Sequence, residues 1–452
     1  MAVHTFAGGV HPFGGKKMSR DRAVVTLFPD DGEIVYPLLQ HMGKPSIPIV
    51  RIGDYVRTGQ LIACADGDLS ANLHASVSGR VSAIENRQLV GGESSLCIVV
   101  ESDGLFLEVP YPENRRLSRL TKETVINVIR EAGIVGMGGS GIPTAFKLER
   151  ANTADIDTVI ANCVECEPYL TSDYRRILEN PWKIINGVMI LLTVFPRARG
   201  YIAVSDNNTE GYRLLRGLLK NEPRIYVKRM EDKYPQGAER QLIYALTGRT
   251  LNAKMLPYDI GCIVHNTDTL VAINQAVIMH EPLITRIVTV SGDGVQSPGN
   301  FRIRIGMTYR QILEQAGGLK KGVALEDVLI LDGGPMTGSP VRNLDGPATK
   351  LTSAIIVLQK KNIRMQKETA CTRCGGCADA CPNLLVPLYL YEDVQEKRDD
   401  AFIAHGGMEC CGCGCCSYVC PSKIDLSAAI DGRRHALAAD EKKAGDYARR
   451  YI

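Results

Sequence analysis

Two runs of cysteine near the C-terminus constrain this 452-residue chain more than any other feature. The first is Cys371-x-x-Cys374-x-x-Cys377-x-x-x-Cys381-Pro382, and the second is Cys410-x-x-Cys413-x-x-Cys416-x-x-x-Cys420-Pro421. Three thiolates this close in sequence wrap one [4Fe–4S] cube, while the fourth, followed by proline, leaves for a neighbouring cube. The spacing therefore predicts two cubes with exchanged fourth ligands. Cys371, Cys374, Cys377 and Cys420 would hold one; Cys410, Cys413, Cys416 and Cys381 would hold the other. Zinc is the competing reading, because it also takes four thiolates in C-x-x-C pairs. Zinc knuckles rarely duplicate a four-cysteine run closed by proline, so iron–sulfur is preferred. Paired cubes move electrons singly, and the rest of the chain has to explain where those electrons come from.

The length exceeds what one ordinary core supports, so several domains are expected. A chain that is 45% hydrophobic and 23% charged reads as soluble and globular. A net charge of +3, with no basic block interleaved with aromatics, argues against nucleic acid as a partner. The longest apolar run, Gly187 to Phe195, is far too short to span a bilayer. The start, Met1-Ala-Val-His-Thr-Phe, lacks the basic and apolar regions of a secretory signal. Cluster thiolates also favour a reducing compartment. A cytosolic chain, able to sit against a membrane through partners, is the expectation.

Four domains are expected, in a multidomain α/β architecture. Residues 1–115 are rich in β-branched residues, Gly and Pro. Ile49 to Ile62, with Ala75 to Val81, resembles the half-motifs of biotinyl/lipoyl-type barrel-sandwich domains. Carriers of that type present a modified lysine between the halves, but Cys64 to Gly79 contains none, so a docking or scaffold role is expected. Residues 116–282 alternate helical and strand patterns, as an α/β layer does. Thr124 to Ala132 reads as an amphipathic helix, the stretches at 158–161, 200–204 and 224–227 as buried strands, and Glu239 to Thr247 as a helix stopped by Gly248. In residues 283–362, Ile287-Val-Thr-Val-Ser-Gly-Asp-Gly, Pro298-Gly299 and Ala316-Gly317-Gly318-Leu319 resemble the soluble-ligand-binding β-grasp (SLBB) module. Residues 363–452 hold the cysteine runs in a helical ferredoxin-like domain, with a helix expected over Leu384 to Val394 and a charged helical tail from Asp431.

Gly136-Met-Gly138-Gly139-Ser-Gly141 contains a literal G-x-G-x-x-G. A Rossmann fingerprint needs a strand directly before it, whereas a helix precedes this one. Its glycines still offer a wall without β-carbons, which lets a flat ring and phosphates approach bare N–H groups. The wider stretch Ala132 to Lys147 looks like the flavin- and NADH-binding loop of the NADH-oxidising subunit of respiratory complex I. Asn162-Cys-Val-Glu165-Cys-Glu167-Pro, Gln236-Gly237-Ala-Glu239 and His265-Asn266-Thr-Asp-Thr-Leu are similar to three further segments of that family, in the same order.

His4-Thr-Phe-Ala-Gly-Gly-Val-His-Pro, Pro37-Leu-Leu-Gln-His-Met-Gly, Tyr234-Pro-Gln-Gly-Ala-Glu and Cys413-Gly-Cys-Cys-Ser-Tyr-Val-Cys-Pro are similar to the RnfC family, found in Rnf-type ion-translocating ferredoxin:NAD oxidoreductase complexes. That resemblance implies FMN, two [4Fe–4S] clusters and NAD(H) as substrate, on a peripheral subunit at the cytoplasmic face of the membrane. It implies partners too, both integral membrane subunits and a cluster-bearing ferredoxin-like subunit. Carried over by position, Gly136, Gly138, Gly139, Gly141 and Lys147 would line the flavin phosphate and ribityl chain. Asn162 and Asn266 would hold polar groups of the flavin. Glu165, Glu167, Gly237 and Glu239 would lie along the nicotinamide nucleotide or the pyrimidine edge. Ile142 stands where the complex I loop has an aromatic, and Val164 replaces an aspartate, which leaves the adenine contacts open. No side chain is expected to be catalytic, since hydride transfer belongs to the cofactors.

Two rival functions remain open at this point. One is a soluble NADH-dependent cobalamin reductase of the propanediol-utilisation type, whose layout looks similar. The other is an electron-transfer adaptor without flavin. Among the remaining cysteines, Cys411 and Cys415 are off register with the second run, and Cys64, Cys97 and Cys262 read as packed apolar residues. Cys163 and Cys166 form a C-x-x-C, which alone is a weak sign of a redox pair.

Overall fold

The computed structural model describes residues 3–29, 32–153, 155–363 and 367–443. Its chain divides into two compact units. One runs through residues 14–230 and 257–363; the other is assembled from His4–Phe13, Glu231–Leu256 and the C-terminal segment.

In the first unit, eight short strands come first: β1 (Val25–Thr26), β2 (Gly32–Pro37), β3 (Ile47–Pro48), β4 (Tyr55–Val56), β5 (Leu61–Cys64), β6 (Leu73–His74), β7 (Gly79–Gln88) and β8 (Ser94–Ser102). Seven of them form two antiparallel sheets, ordered β2-β8-β7-β4 and β3-β5-β6. Alternation along β8 has a direct packing consequence. Ile98 and Val100 point into one core, while Cys97 and Val99 join Val35 in another.

The α/β layer follows, with α1 (Lys122–Glu131), α2 (Thr144–Arg150), β9 (Thr158–Cys163), α3 (Ser172–Glu179), α4 (Pro181–Val194), β10 (Arg199–Ser205), α5 (Thr209–Leu218), β11 (Ile225–Met230), β12 (Cys262–Asn266) and α7 (Thr267–Met279); α6 (Glu239–Thr247) falls within this stretch of sequence but belongs to the second unit. Thr121 caps α1 through Thr124 N, and Gly248 ends α6 in the left-handed region. The sheet is wholly parallel, ordered β11-β10-β9-β12; β9 and β12 are buried along nearly their whole length, while the edge strand β11 carries the half-buried Lys228 and Arg229. A helix precedes the glycine loop and α2 follows it, so the Rossmann context is absent here as expected.

The β-grasp part comprises β13 (Thr285–Ser291), β14 (Gly299–Arg304), α8 (Tyr309–Gln315), β15 (Val328–Asp332), β16 (Ser339–Pro340) and β17 (Ala354–Gln359). Its sheet is ordered β1-β14-β13-β17-β15-β16, so an N-terminal strand pairs into it: Val25 lies opposite Phe301. Ile34, Tyr36, Ile98 and Val100 share one continuous core with Val288, Phe301, Tyr309 and Ile312. Barrel-sandwich and β-grasp parts are therefore packed as a single body.

The second unit contains α6, then α9 (Gly376–Asp379), α10 (Pro387–Gln395), α11 (Asp399–Ala404), α12 (Cys415–Val419) and α13 (Leu426–Lys443). Its small core is built from Leu390, Phe402, Ile424, Leu426 and Ile430 around Cys416 and Cys420. Two stretches reach it from far away in sequence. Gly9 N donates to Ala380 O at 3.0 Å, and Val10 N donates to Tyr234 O at 2.8 Å. The expected helix at 384–394 appears as α10, begun at Pro387 because proline suits a first helical turn. The expected tail helix is seen as far as Lys443; the remainder of that expectation lies outside the described residues.

Candidate cofactor sites

In the first unit the chain order reverses at β9. From there β10 and β11 extend the sheet one way, while β12 returns to the other side. Such a switch point leaves a crevice beyond the C-terminal strand ends, where α/β proteins bind ligands. Asn162 and Asn266 are register partners at those ends. Asn266 caps α7 by accepting Asp268 N at 2.9 Å, and its Nδ2 donates to Asp173 Oδ2 at 3.1 Å. Thr267 Oγ1 donates to Asn162 O at 3.2 Å.

The glycine loop closes on itself, with Gly136 N donating to Ile142 O at 2.8 Å and Gly141 N to Gly136 O at 3.0 Å. Met137 N donates to Thr269 Oγ1 at 3.0 Å, fastening the loop to α7. Gly138, Gly139 and Ser140 form an exposed tip. A β-carbon on Gly138 would sit 3.1 Å from Asn266 Cβ, so the tip lies against the strand end. At Gly139, φ is +108° and a β-carbon would meet nothing within 4 Å. This is an open, side-chain-free wall of the kind a flat cofactor needs. Lys147, on α2, turns its Nζ to Val264 O at 2.8 Å.

The carboxylates around this edge are already engaged. Glu165 accepts Asp173 N at 2.8 Å, Tyr174 N at 3.1 Å and Ser172 Oγ at 3.2 Å, closing the start of α3. Burial pushes its carboxyl up, against the pull of Lys16 and of those hydrogen bonds. Lys16 Nζ donates to Glu165 O and, at 2.9 Å, to Leu170 O. Glu167 accepts Met336 N from the β-grasp part at 2.7 Å, and burial pushes it up too. Asp173 is raised well above the usual range by burial and by its neighbours Glu165 and Asp268. For Asp268, burial also acts to raise the carboxyl. Arg176, 2.7 Å away, and Arg286, 3.0 Å away, outweigh it and hold the carboxyl below its ordinary value.

Lys16, Asp173, Arg176 and Arg286 carry no mark in the sequence. Arg176 and Arg286 meet Asp268 across 92 and 18 positions respectively, and no local pattern signals either pairing. Gly237 and Glu239, which the family resemblance groups with this edge, belong to the second unit, where Glu239 opens α6.

In that second unit, Cys371, Cys374, Cys377 and Cys420 line one cavity of about 280 Å³. Cys381, Cys410, Cys413 and Cys416 line another, drawn in to about 20 Å³, together with Cys411 and Cys415. Each fourth cysteine thus stands with the other run. Left-handed residues at Arg373, Gly375, Gly412 and Gly414 turn the chain between successive cysteines. Backbone N–H groups face three sulfurs: Arg373 N on Cys371 at 3.4 Å, Leu385 N on Cys381 at 3.4 Å, and Gly412 N on Cys410 at 3.5 Å. Burial pushes the Cys410 thiol up to about 11 and Cys416 up to about 12, so thiolates here require a cationic partner. Among the described residues no three His, Cys, Asp or Glu side chains close on a single metal ion. Cys371 and Cys374 are exposed, whereas Cys381, Cys416 and Cys420 are buried.

Comparison with known proteins gives four family matches along the chain. They are an RnfC barrel sandwich hybrid domain at residues 4–105, a Nuo51 FMN-binding domain at 129–275, an SLBB domain at 287–340 and a 4Fe-4S dicluster domain at 363–421. The four-part architecture expected from sequence is thereby borne out. The C component of the proton-translocating ferredoxin:NAD(+) oxidoreductase complex of Clostridium ljungdahlii is 39% identical over 86% of this chain and 84% of its own. The C component of the Na(+)-translocating complex of Acetobacterium woodii is 34% identical over 97% of this chain and 98% of its own. The corresponding component of the ion-translocating oxidoreductase complex of Rhodobacter capsulatus is 36% identical over 85% and 73%. Among solved structures, a chain of NAD+-reducing [NiFe]-hydrogenase in the air-oxidized state aligns over 73% of this chain and 72% of that one. The TM-score is 0.48 and the identity 17%.

Proposed function

The chain belongs to the RnfC family of ion-translocating ferredoxin:NAD(+) oxidoreductase (Rnf) complexes, and from that membership we propose how its residues divide the work. It is an oxidoreductase subunit with FMN, [4Fe–4S] clusters and NAD(H) as substrate, working among the other subunits of a membrane complex. FMN takes the electron pair of a hydride and releases electrons singly, which is the form that iron–sulfur cubes accept. The cobalamin-reductase reading is not favoured, because the curated relatives are components of ferredoxin:NAD(+) oxidoreductase complexes. A flavin-free adaptor fits poorly with an FMN-binding domain over residues 129–275.

One observation carries the assignment of residues: an exposed, side-chain-free loop lies beside the paired Asn162 and Asn266 at the switch point of the sheet. In this reading the loop glycines Gly136, Gly138, Gly139 and Gly141, with Lys147, border the flavin phosphate and ribityl chain. Asn162 and Asn266 present amide groups to the flavin. Glu165 and Glu167 border the nicotinamide nucleotide, and their hydrogen bonds to backbone N–H groups keep them fixed there. Gly237 and Glu239, in the second unit, are counted among the cofactor-binding residues by family resemblance alone. The eight cysteines of the two runs ligate the two cubes with exchanged fourth ligands. The duplicated, proline-closed spacing of the two runs and the 4Fe-4S dicluster match over residues 363–421 support cubes over zinc.

Attachment to the membrane runs through partner subunits, and the cytoplasmic face is the side we infer. Among the described residues no single helix is long and apolar enough to cross a bilayer. The bent pair α3–α4 passes by length and composition, but Ile184, Ile185, Val188, Ile190 and Leu191 of α4 are buried in the α/β core.

Gly138→Val tests the flavin site. A branched side chain would enter the space proposed for the cofactor, so bound FMN and NADH oxidation with an artificial acceptor should both be lost. The clusters should still be reduced by dithionite, as read by electron paramagnetic resonance. A variant that keeps its FMN and its activity would make the loop an ordinary turn.

A further inference from the structure

The turn between β5 and β6 occupies the place where carrier domains of the barrel-sandwich type present a modified lysine. Here that turn bears no lysine, and its end is inserted into the α/β layer. Ala71 is buried in the α/β core. Asn72 folds the turn by accepting Ala65 N at 2.9 Å, and its Nδ2 donates to Glu131 O at 3.1 Å. That carbonyl ends α1 and would otherwise lack a helical partner.

A lysine arrives at this turn from elsewhere in the chain. Lys350, on the segment leading into β17, is 1% exposed, and its Nζ donates to Asn72 O at 2.6 Å and to Gly133 O at 2.7 Å. Its own N–H donates to Gln40 Oε1 at 3.0 Å. No carboxylate pairs with it among the described residues. Gly133, with φ +65°, stands at the entry to the glycine loop, and a β-carbon there would run into Asn72 O. At the far end of the loop, Met42 N donates to Gly141 O at 2.9 Å. His41, beside Met42, accepts Ala71 N at 3.2 Å. Both ends of the loop are thus fastened to the same two barrel-sandwich segments, residues 40–44 and 70–72.

We propose that Lys350 and Asn72 are positioning residues for FMN. They make the barrel-sandwich domain a fixed brace that holds the glycine loop open, where a carrier domain would have a swinging arm. This rests on the reading that the loop binds FMN. A methionine at 350 would fill the same volume with no amine to bury, but it would leave Asn72 O and Gly133 O without their donor. The loop entry would then be free to close on itself.

The test uses the full-length protein stripped of FMN and titrated with it, with affinity read from flavin fluorescence and the cluster resonance signals serving as an internal control. Lys350→Met and Asn72→Ala should each weaken FMN binding by tenfold or more with cluster signals unchanged. A brace that only stabilises the fold would lower the melting temperature and leave FMN affinity within twofold of the parent, and that result would overturn the proposal. If Lys350→Met does not fold, Asn72→Ala decides by the same criterion. Retention of FMN by Gly138→Val would instead remove the underlying flavin reading, so the two failures are distinguishable.

Discussion

Asn383 Nδ2 donates to Glu409 O at 2.6 Å, tying the residue two positions past Cys381 to the residue just before Cys410. Gln241 Nε2 donates to Asn383 Oδ1 at 2.7 Å, and Arg240 pairs with the Glu409 carboxylate at 3.0 Å. A single amide therefore holds the cysteine that crosses over against the run it joins.

Asn383→Leu keeps the volume but leaves the Glu409 carbonyl only the longer bond from Arg240 Nη1 at 3.4 Å, and the Gln241 amide only Pro382 O at 3.4 Å, a loss on the order of 1 kcal/mol. The cluster held by Cys410, Cys413, Cys416 and Cys381 should show a broadened or missing resonance signal, while the signal of the first set persists. Identical spectra from parent and variant would mean that the clamp is dispensable.

Iron and sulfide should approach about eight of each per chain, since two cubes carry about four apiece. Cys381→Ala should bring both toward half, whereas Cys411→Ala should leave them unchanged. Stoichiometric zinc with little iron would reverse the assignment.

Lys350 gives a pH signature. Burial lowers its pKa from the ordinary lysine value to about 7, so the fold prefers the neutral amine. Between about 7 and about 10.5 the unfolded chain binds more protons, and stability rises with pH. The contribution is complete above the unfolded value and lost as pH falls to the folded one. At roughly 1.4 kcal/mol per unit, the swing is on the order of several kcal/mol. Urea midpoints followed through Trp182, the one tryptophan, should climb from pH 7 to 9 in the parent. Lys350→Met, which has no amine to titrate, should lack this part of the climb; parallel profiles would exclude the effect.

Asp268 joins two buried guanidiniums. Asp268→Asn removes the carboxylate that bonds both Arg176 and Arg286, leaving Asp173 as the nearby acid that acts on Arg286, and should cost about 3–5 kcal/mol. The same Trp182 unfolding experiment measures it, and a loss below about 1 kcal/mol would show that the pair is relieved by water.

Features carried by local spacing are legible in the sequence. The cysteine runs announce both their cofactor and their exchange, because four ligands fall within eleven positions. Glu239 to Thr247 and Gly248 give a helix and its stop. What escapes is set by distance along the chain. Lys350 and Asn72 are 278 positions apart, and each taken alone is an ordinary polar residue. Residues 1–115 read as one domain, yet His4–Phe13 joins the second unit and Val25–Thr26 joins the β-grasp sheet. A two-residue strand is too short to show alternation, and an irregular segment shows none. Glu165 and Glu167 stand out by resemblance, but their backbone donors, from α3 and from the loop at Met336, become visible only in the fold.

The composite second unit has a consequence for how the protein is made. Gly9 and Val10 are made long before their hydrogen-bond partners, Ala380 and Tyr234. Cys381 and Cys420 must likewise wait for each other's run. The unit cannot close until the second cysteine run has been made, since residues 4–13 pair with segments hundreds of positions further on. Two cubes with exchanged ligands can therefore form only once both cysteine runs have been made, and residues 4–13 take their place in the unit at that stage.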